Sequence, residues 1–308
     1  MMSPPIVLEG LDGSNPLGFL SLVGIASLCN GFCSTVRISW RQTGAGWRPR
    51  LEGFNGNEEE FITSLYRGLN DASNHPFELS SKFPFSRDVL REAMRRGQLD
   101  STPERRRVAD LLAGFGSDAH TDKEGAFLDT ALRMVRSGDS NGQGLTAYAL
   151  SIREATTLED LRVTLFERWP YRDEGYSLRW DPLEDQRYAL RWYDPGPQSN
   201  KKFSLRSVRG ANALALEALA LLPVQPQIRG VATTGFPKAS RQPDAFIWPI
   251  WETPVPPAII RSILSLPELS SNPVDRNRLM KRGITEVYRC ERIAPNQYYK
   301  NFAPSHPV

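Results

Sequence analysis

The chain has 308 residues, 40% of them hydrophobic and 24% charged, a globular composition that excludes a disordered chain. A formal net charge of +3 excludes a polycation of the histone kind, and three cysteines with no histidine near them in sequence exclude both a disulfide framework and a zinc pattern. Only seven of the 38 basic residues are lysine; arginine suits bidentate phosphate and guanine contacts, although a GC-rich genome yields the same bias.

In chain order, Ile6 to Leu28 is the first and most apolar stretch, with no charge between Asp12 and Arg37. Asn15 is placed to cap a helix whose first residue, Pro16, has the fixed φ and missing N–H suited to that position. The helix is apolar on every side and therefore predicts a buried central element. Glu9 and Asp12 precede it in place of a basic leader, and Gly18, Gly24, Asn30 and Gly31 interrupt any span, so a cytoplasmic protein without a membrane is expected.

A hairpin follows, with strands over Thr35 to Arg41 and Trp47 to Leu51. Its alternation sets Val36, Ile38 and Trp40 on one face and puts Arg37, Arg41, Arg48 and Arg50 on the other. Asn57 and Glu60 form a capping box that opens a helix to about Asn70. Residues 71–85 read as an irregular connection, and helices are predicted over Ser86 to Arg96, Thr102 to Ala113, Gly125 to Arg136 and Thr157 to Trp169. Ser137 to Gly144 reads as a boundary or exposed loop.

A second hairpin is predicted over Tyr176 to Tyr193, turning at Asp181 to Asp185. Tyr176, Leu178 and Trp180 share one face and Arg179, Arg187 and Arg191 the other. A loop over Pro195 to Lys202, a buried helix over Ser207 to Leu222, strands over Val231 to Phe236 and Phe246 to Trp251, a short helix over Pro257 to Leu266 and a late strand over Ile284 to Ile293 complete the chain. The proline-rich end from Ala303 reads as frayed. The expected class is α+β: antiparallel hairpins around buried apolar helices, because strands and helices do not alternate regularly. Residues 1–56 and 170–300 form one α+β domain, 57–169 a helical insertion and 301–308 a tail.

No Walker loop, dinucleotide fingerprint, zinc-binding helix motif or nucleophile elbow occurs. His75, His120 and His306 lack companions at ligand spacing, and His120 beside Asp118 and Asp122 reads as a solvated acidic loop. No catalytic residue, metal ligand or cofactor is assigned. The turn of Asp12, Gly13, Ser14 and Asn15 joins a strand to a helix N-terminus, the geometry of an anion site, but Asp12 would repel phosphate unless it bonds the turn's own amides. The arginine-faced hairpins, extended by Lys201, Lys202, Arg206 and Arg209, form a surface able to follow a phosphate backbone; pairing of those arginines with nearby carboxylates is the equally open alternative.

Four segments together, DGSNPLGFL at 12–20, GANALALEALALLP at 210–223, VATTGF at 231–236 and FIWPIWE at 246–252, resemble proteins of type I CRISPR systems, in particular the type I-G (formerly I-U) group of large-subunit-like or accessory Cas proteins. The resemblance implies a subunit or accessory of an RNA-guided surveillance complex that contacts target DNA, guide RNA or both, beside other Cas proteins. No paired His-Asp motif of the metal-dependent nuclease of these systems is present, so cleavage is not implied. Two other readings stand beside it: an enzyme acting on a nucleotide or nucleic acid through Asp12 and Asn15, and a scaffold subunit that docks through Trp248-Pro249-Ile250-Trp251.

Overall fold

A computed structural model describes residues 4–71, 75–99, 101–102, 106–134, 144–184, 206–237, 244–296 and 299–308. The chain is α+β, with antiparallel sheets and hairpins set around apolar helices. Helix α1 spans Pro16–Phe32, and every residue from Pro16 to Cys29 is buried. Its start is local chemistry: Asn15 Oδ1 accepts from the amides of Leu17 (2.8 Å) and Gly18 (3.1 Å), and Pro16 occupies the first turn.

Two sheets close on α1. In the first, β1 (Ile6–Val7) and β2 (Arg37–Thr43) flank β3 (Gly46–Glu52). In the second, β10 (Ala245–Trp251), β11 (Ile284–Asn296) and β12 (Tyr299–Phe302) run in that order, and the short β13 (His306–Pro307) pairs with β11. Phe19 on α1 meets rings from both: Trp40 of β2 at 6.0 Å between centroids, and Trp248 of β10 at 5.7 Å. The Trp248 indole N–H donates to the Gly13 carbonyl (2.8 Å) and that of Trp251 to the Ile38 carbonyl (2.9 Å), so neither large ring buries an unpaired donor.

Around this centre lie α2 (Glu58–Asn70), α3 (Arg87–Leu99), α4 (Arg107–Phe115), α5 (Leu145–Ala155), α6 (Leu158–Phe166), α7 (Arg209–Leu216), α8 (Pro257–Leu264) and α9 (Arg276–Lys281). The capping boxes of Asn57 with Glu60 and of Thr157 with Asp160 both form. The helix expected over 207–222 is α7 followed by a 3-10 turn over Glu217–Leu221, buried throughout. It packs on α1, where Ser21 Oγ reaches the Ala211 carbonyl (3.0 Å). Three antiparallel strand pairs complete the described residues: β4 (Gly116–Thr121) with β5 (Phe127–Asp129), β6 (Asp173–Glu174) with β7 (Arg206–Ser207), and β8 (Val224–Pro226) with β9 (Val231–Thr233).

Three expectations need correction. The helix expected over 125–136 is absent: Phe127–Asp129 is a strand, seated among Phe83 (5.4 Å) and Phe85 (5.0 Å), and the packing of that ring outweighs helix propensity. The helical block therefore contains a hairpin, and α5 lies where no helix is predicted. The second arginine-faced hairpin does not form over 176–184, where no strand is present; its remainder, with Arg187 and Arg191, lies outside the described residues, as do the loop over 195–202 with Lys201 and Lys202 and most of the 137–144 loop. The chain end is not frayed: β13 pairs with β11, and Val308 N donates to the Val287 carbonyl at 3.0 Å.

Candidate functional site

The first hairpin has the predicted register, with Arg37 opposite Glu52, Ser39 opposite Arg50 and Arg41 opposite Arg48. Its four arginines have different fates. Arg48 is turned inward, donating to the carbonyls of Leu11 and Ala45 (both 2.8 Å) and lying 3.8 Å from Asp12, with 13% of its side chain exposed. Arg50 is paired with Glu52 at 3.1 Å. Arg37 is exposed and, among the described residues, hydrogen-bonds only to the carbonyls of Ser34, Thr35 and Val36. Arg41 is exposed with no ion pair or hydrogen bond among the described residues. Two of the four are thus bound into the fold and two face solvent.

Arg179 departs furthest from expectation. It is 8% exposed, with φ of +63°, a backbone conformation that breaks the strand pleat. Arg206 pairs with Glu174 at 2.8 Å. Arg209 reaches Asp160 at 2.9 Å and stacks over the Tyr176 ring at 5.2 Å. All three belong to the fold rather than to an open basic face.

The turn before α1 uses its own amides. Asp12 Oδ1 accepts from the amide and hydroxyl of Ser14 (both 2.9 Å), Gly13 N donates to the Trp47 carbonyl (2.9 Å), and Asn15 N donates to the Asp12 carbonyl (3.1 Å). The amides of Leu17, Gly18 and Phe19 go to Asn15. No N–H from Gly13 to Phe19 is left for an anion, and Asp12 acts as the turn's internal acceptor. A Cβ on Gly13 would stand 2.8 Å from the Trp40 ring, so the turn is sealed on that side by packing.

Beneath it lies a polar centre that sequence reasoning missed. Asp181 and Glu184 are both buried, at 0% and 1% exposure. Asp181 accepts from the Tyr171 hydroxyl (2.8 Å), the Leu183 amide (2.9 Å) and the Asn15 side chain. Glu184 accepts from the Ser177 hydroxyl (2.6 Å), the Asn212 side chain (2.5 Å) and the Val208 amide. Burial raises both carboxyls above their ordinary range, and the charge of Asp181 raises Glu184 further. The cluster ties the α1 cap to segment 171–184 and to α7. An Asp-Pro-Leu-Glu run after an alternating stretch reads as a solvated turn, and nothing local signals its burial.

The Trp248-Pro249-Ile250-Trp251 segment is buried along its whole length in β10. Its aromatic side chains belong to the core and offer no docking patch, which removes the surface on which the scaffold reading rested. His120 Nε2 lies 2.7 Å from the Gln227 carbonyl, and among the described residues no group of three or more His, Cys, Asp and Glu side chains is arranged to hold a metal ion. No described helix is long and apolar enough to cross a membrane. No family model and no curated protein matches the chain.

Proposed function

We propose that this protein is a non-catalytic nucleic-acid-binding subunit or accessory of a type I CRISPR surveillance complex, contacting the phosphate backbone of target DNA or guide RNA. The observation that carries the reading is the pair Arg37 and Arg41, exposed on the same face of β2 and without a carboxylate partner among the described residues. Four strand steps put them roughly 13 Å apart, a span that covers two phosphates along one strand.

The four segments of the resemblance support the reading indirectly. They form the α1 cap and first turns, the helix packed on α1, β9 and β10; Phe246 meets Phe19 and Phe236, and Ser21 of α1 reaches Ala211. They are therefore scaffold, and the resemblance speaks for shared architecture. The test is binding of a labelled single-stranded oligonucleotide by the wild type and by Arg37→Ala/Arg41→Ala over a salt series. The double variant should bind more weakly, with a slope of log K against log salt shallower by about 0.7 for each phosphate that is no longer neutralised. Unchanged affinity and slope would sink the proposal.

A further inference from the structure

Away from the hairpin, a groove of about 1800 Å³ lies between the C-terminal end of α1, α2, α3, α4 and α8. Small-molecule sites occupy roughly 300–1,000 Å³, so this space suits a chain rather than a compact ligand. Among the described residues that line it are Arg67, Arg96, Arg106, Arg107 and Arg261 against two carboxylates, Asp71 and Asp110. These arginines come from four helices, and sequence reasoning places none of them together.

The carboxylates nearby are shared rather than matched. Asp110 takes both Arg106 (3.2 Å) and Arg261 (2.9 Å), and Glu92 takes both Arg95 (2.8 Å) and Arg96 (2.7 Å). At the floor Arg107 is paired with Glu217, which is wholly buried. Behind it Arg153, 6% exposed and stacked over Phe77 at 5.4 Å, has a buried Nη1 with no acceptor among the described residues and lies in the field of Glu217, Glu78 and Asp71. Arg67 is exposed and makes no ion pair or hydrogen bond among the described residues. Among the described residues, guanidinium groups therefore outnumber carboxylates along the groove.

One further feature suits a polyanion with bases. Phe32, 37% exposed at the opposite wall, offers a ring on which a base can stack.

We infer that the groove between α1, α2, α3, α4 and α8 binds a single-stranded nucleic acid, with Arg67, Arg96 and Arg106 on its phosphates and Phe32 against a base. The inference rests on the nucleic-acid reading above but assigns the strand to a different face from the β2–β3 hairpin. The experiment compares wild type, Arg67→Ala/Arg96→Ala and Arg37→Ala/Arg41→Ala, all full length, for binding of fluorescent oligothymidylate and oligouridylate over a salt series. Both changes in the groove variant are at exposed side chains, and an unaltered thermal midpoint verifies its fold.

The groove variant is expected to bind about tenfold more weakly, with a salt slope shallower by about 0.7 per phosphate released from its arginine. A third variant, Phe32→Ala, should weaken binding with the salt slope unchanged, since stacking releases no counterion. Wild-type binding by the groove variant overturns the inference; if the hairpin variant is then the weak one, the nucleic-acid reading stands on the hairpin alone. Absence of oligonucleotide binding by the wild type at low salt overturns both.

Discussion

Gly24 of α1 lies against the carbonyl oxygen of Leu214 on α7, so close that a Cβ at position 24 would stand 1.8 Å from it. The two buried helices approach backbone to backbone at this point, and only the missing side chain allows it. Gly24→Ala should therefore cost about 3 kcal/mol, because neither backbone can give way within a packed core. Gly31→Ala, in the last turn of the same helix where nothing lies within 4 Å, is the control and should shift stability by less than about 0.5 kcal/mol. Urea unfolding of the pair separates close approach from general intolerance of alanine in α1.

Glu217 has no exposed side-chain surface and neutralises Arg107 at the base of the groove. Glu217→Gln removes that charge while keeping the shape, so the buried Arg153 and the half-buried Arg107 lose their shared carboxylate. The loss should be about 3 kcal/mol in urea unfolding. Glu92→Gln, at an exposed site that also carries two arginines, should leave the midpoint unmoved, although Arg95 and Arg96 hold that carboxylate down to about 2.

Glu184 is raised from 4.5 to about 8 by burial and by the neighbouring Asp181. The folded state holds its proton more tightly than the unfolded chain, so the sign is fixed: no penalty exists below pH 4.5, and stability falls as pH climbs from there to about 8. The slope cannot exceed about 1.4 kcal/mol per pH unit for this one group. Glu184→Gln should flatten the decline across that window, seen as thermal midpoints that converge at acid pH and separate in favour of the variant near pH 8.

Arg48 and Arg41 stand opposite each other in the hairpin yet should behave differently. Arg48→Ala strips the donors from the Leu11 and Ala45 carbonyls and should cost about 1–2 kcal/mol. Arg41→Ala should leave unfolding unchanged, because its side chain touches no partner among the described residues. A variant that keeps its stability and loses oligonucleotide binding is the signature of a functional arginine.

Much of this molecule was legible in its residues because the signals are local. Asn15 and Pro16 define the start of α1, Asn57 with Glu60 and Thr157 with Asp160 define two more helix starts, and alternation from Arg37 to Leu51 defines a hairpin in the right register. Each depends on atoms within a few positions along the chain. Burial of α1 was equally readable, since a helix apolar on every side has only the interior to go to.

Tertiary structure decided the fate of the charges. Tyr-Ser-Leu-Arg-Trp at 176–180 alternates like a strand, yet positive φ at Tyr176 and Arg179 breaks the pleat, and Asp181 and Glu184 are drawn inward to donors at Asn15, Ser177 and Asn212. Arg48 is consumed by carbonyls and Asp12 while Arg41 on the next strand stays free among the described residues. Arg67, Arg96 and Arg261, distant in sequence, come to one groove only when four helices pack. An arginine's role depends on which carboxylates and carbonyls lie within reach of its long side chain, and those partners come from segments that meet only in the folded chain.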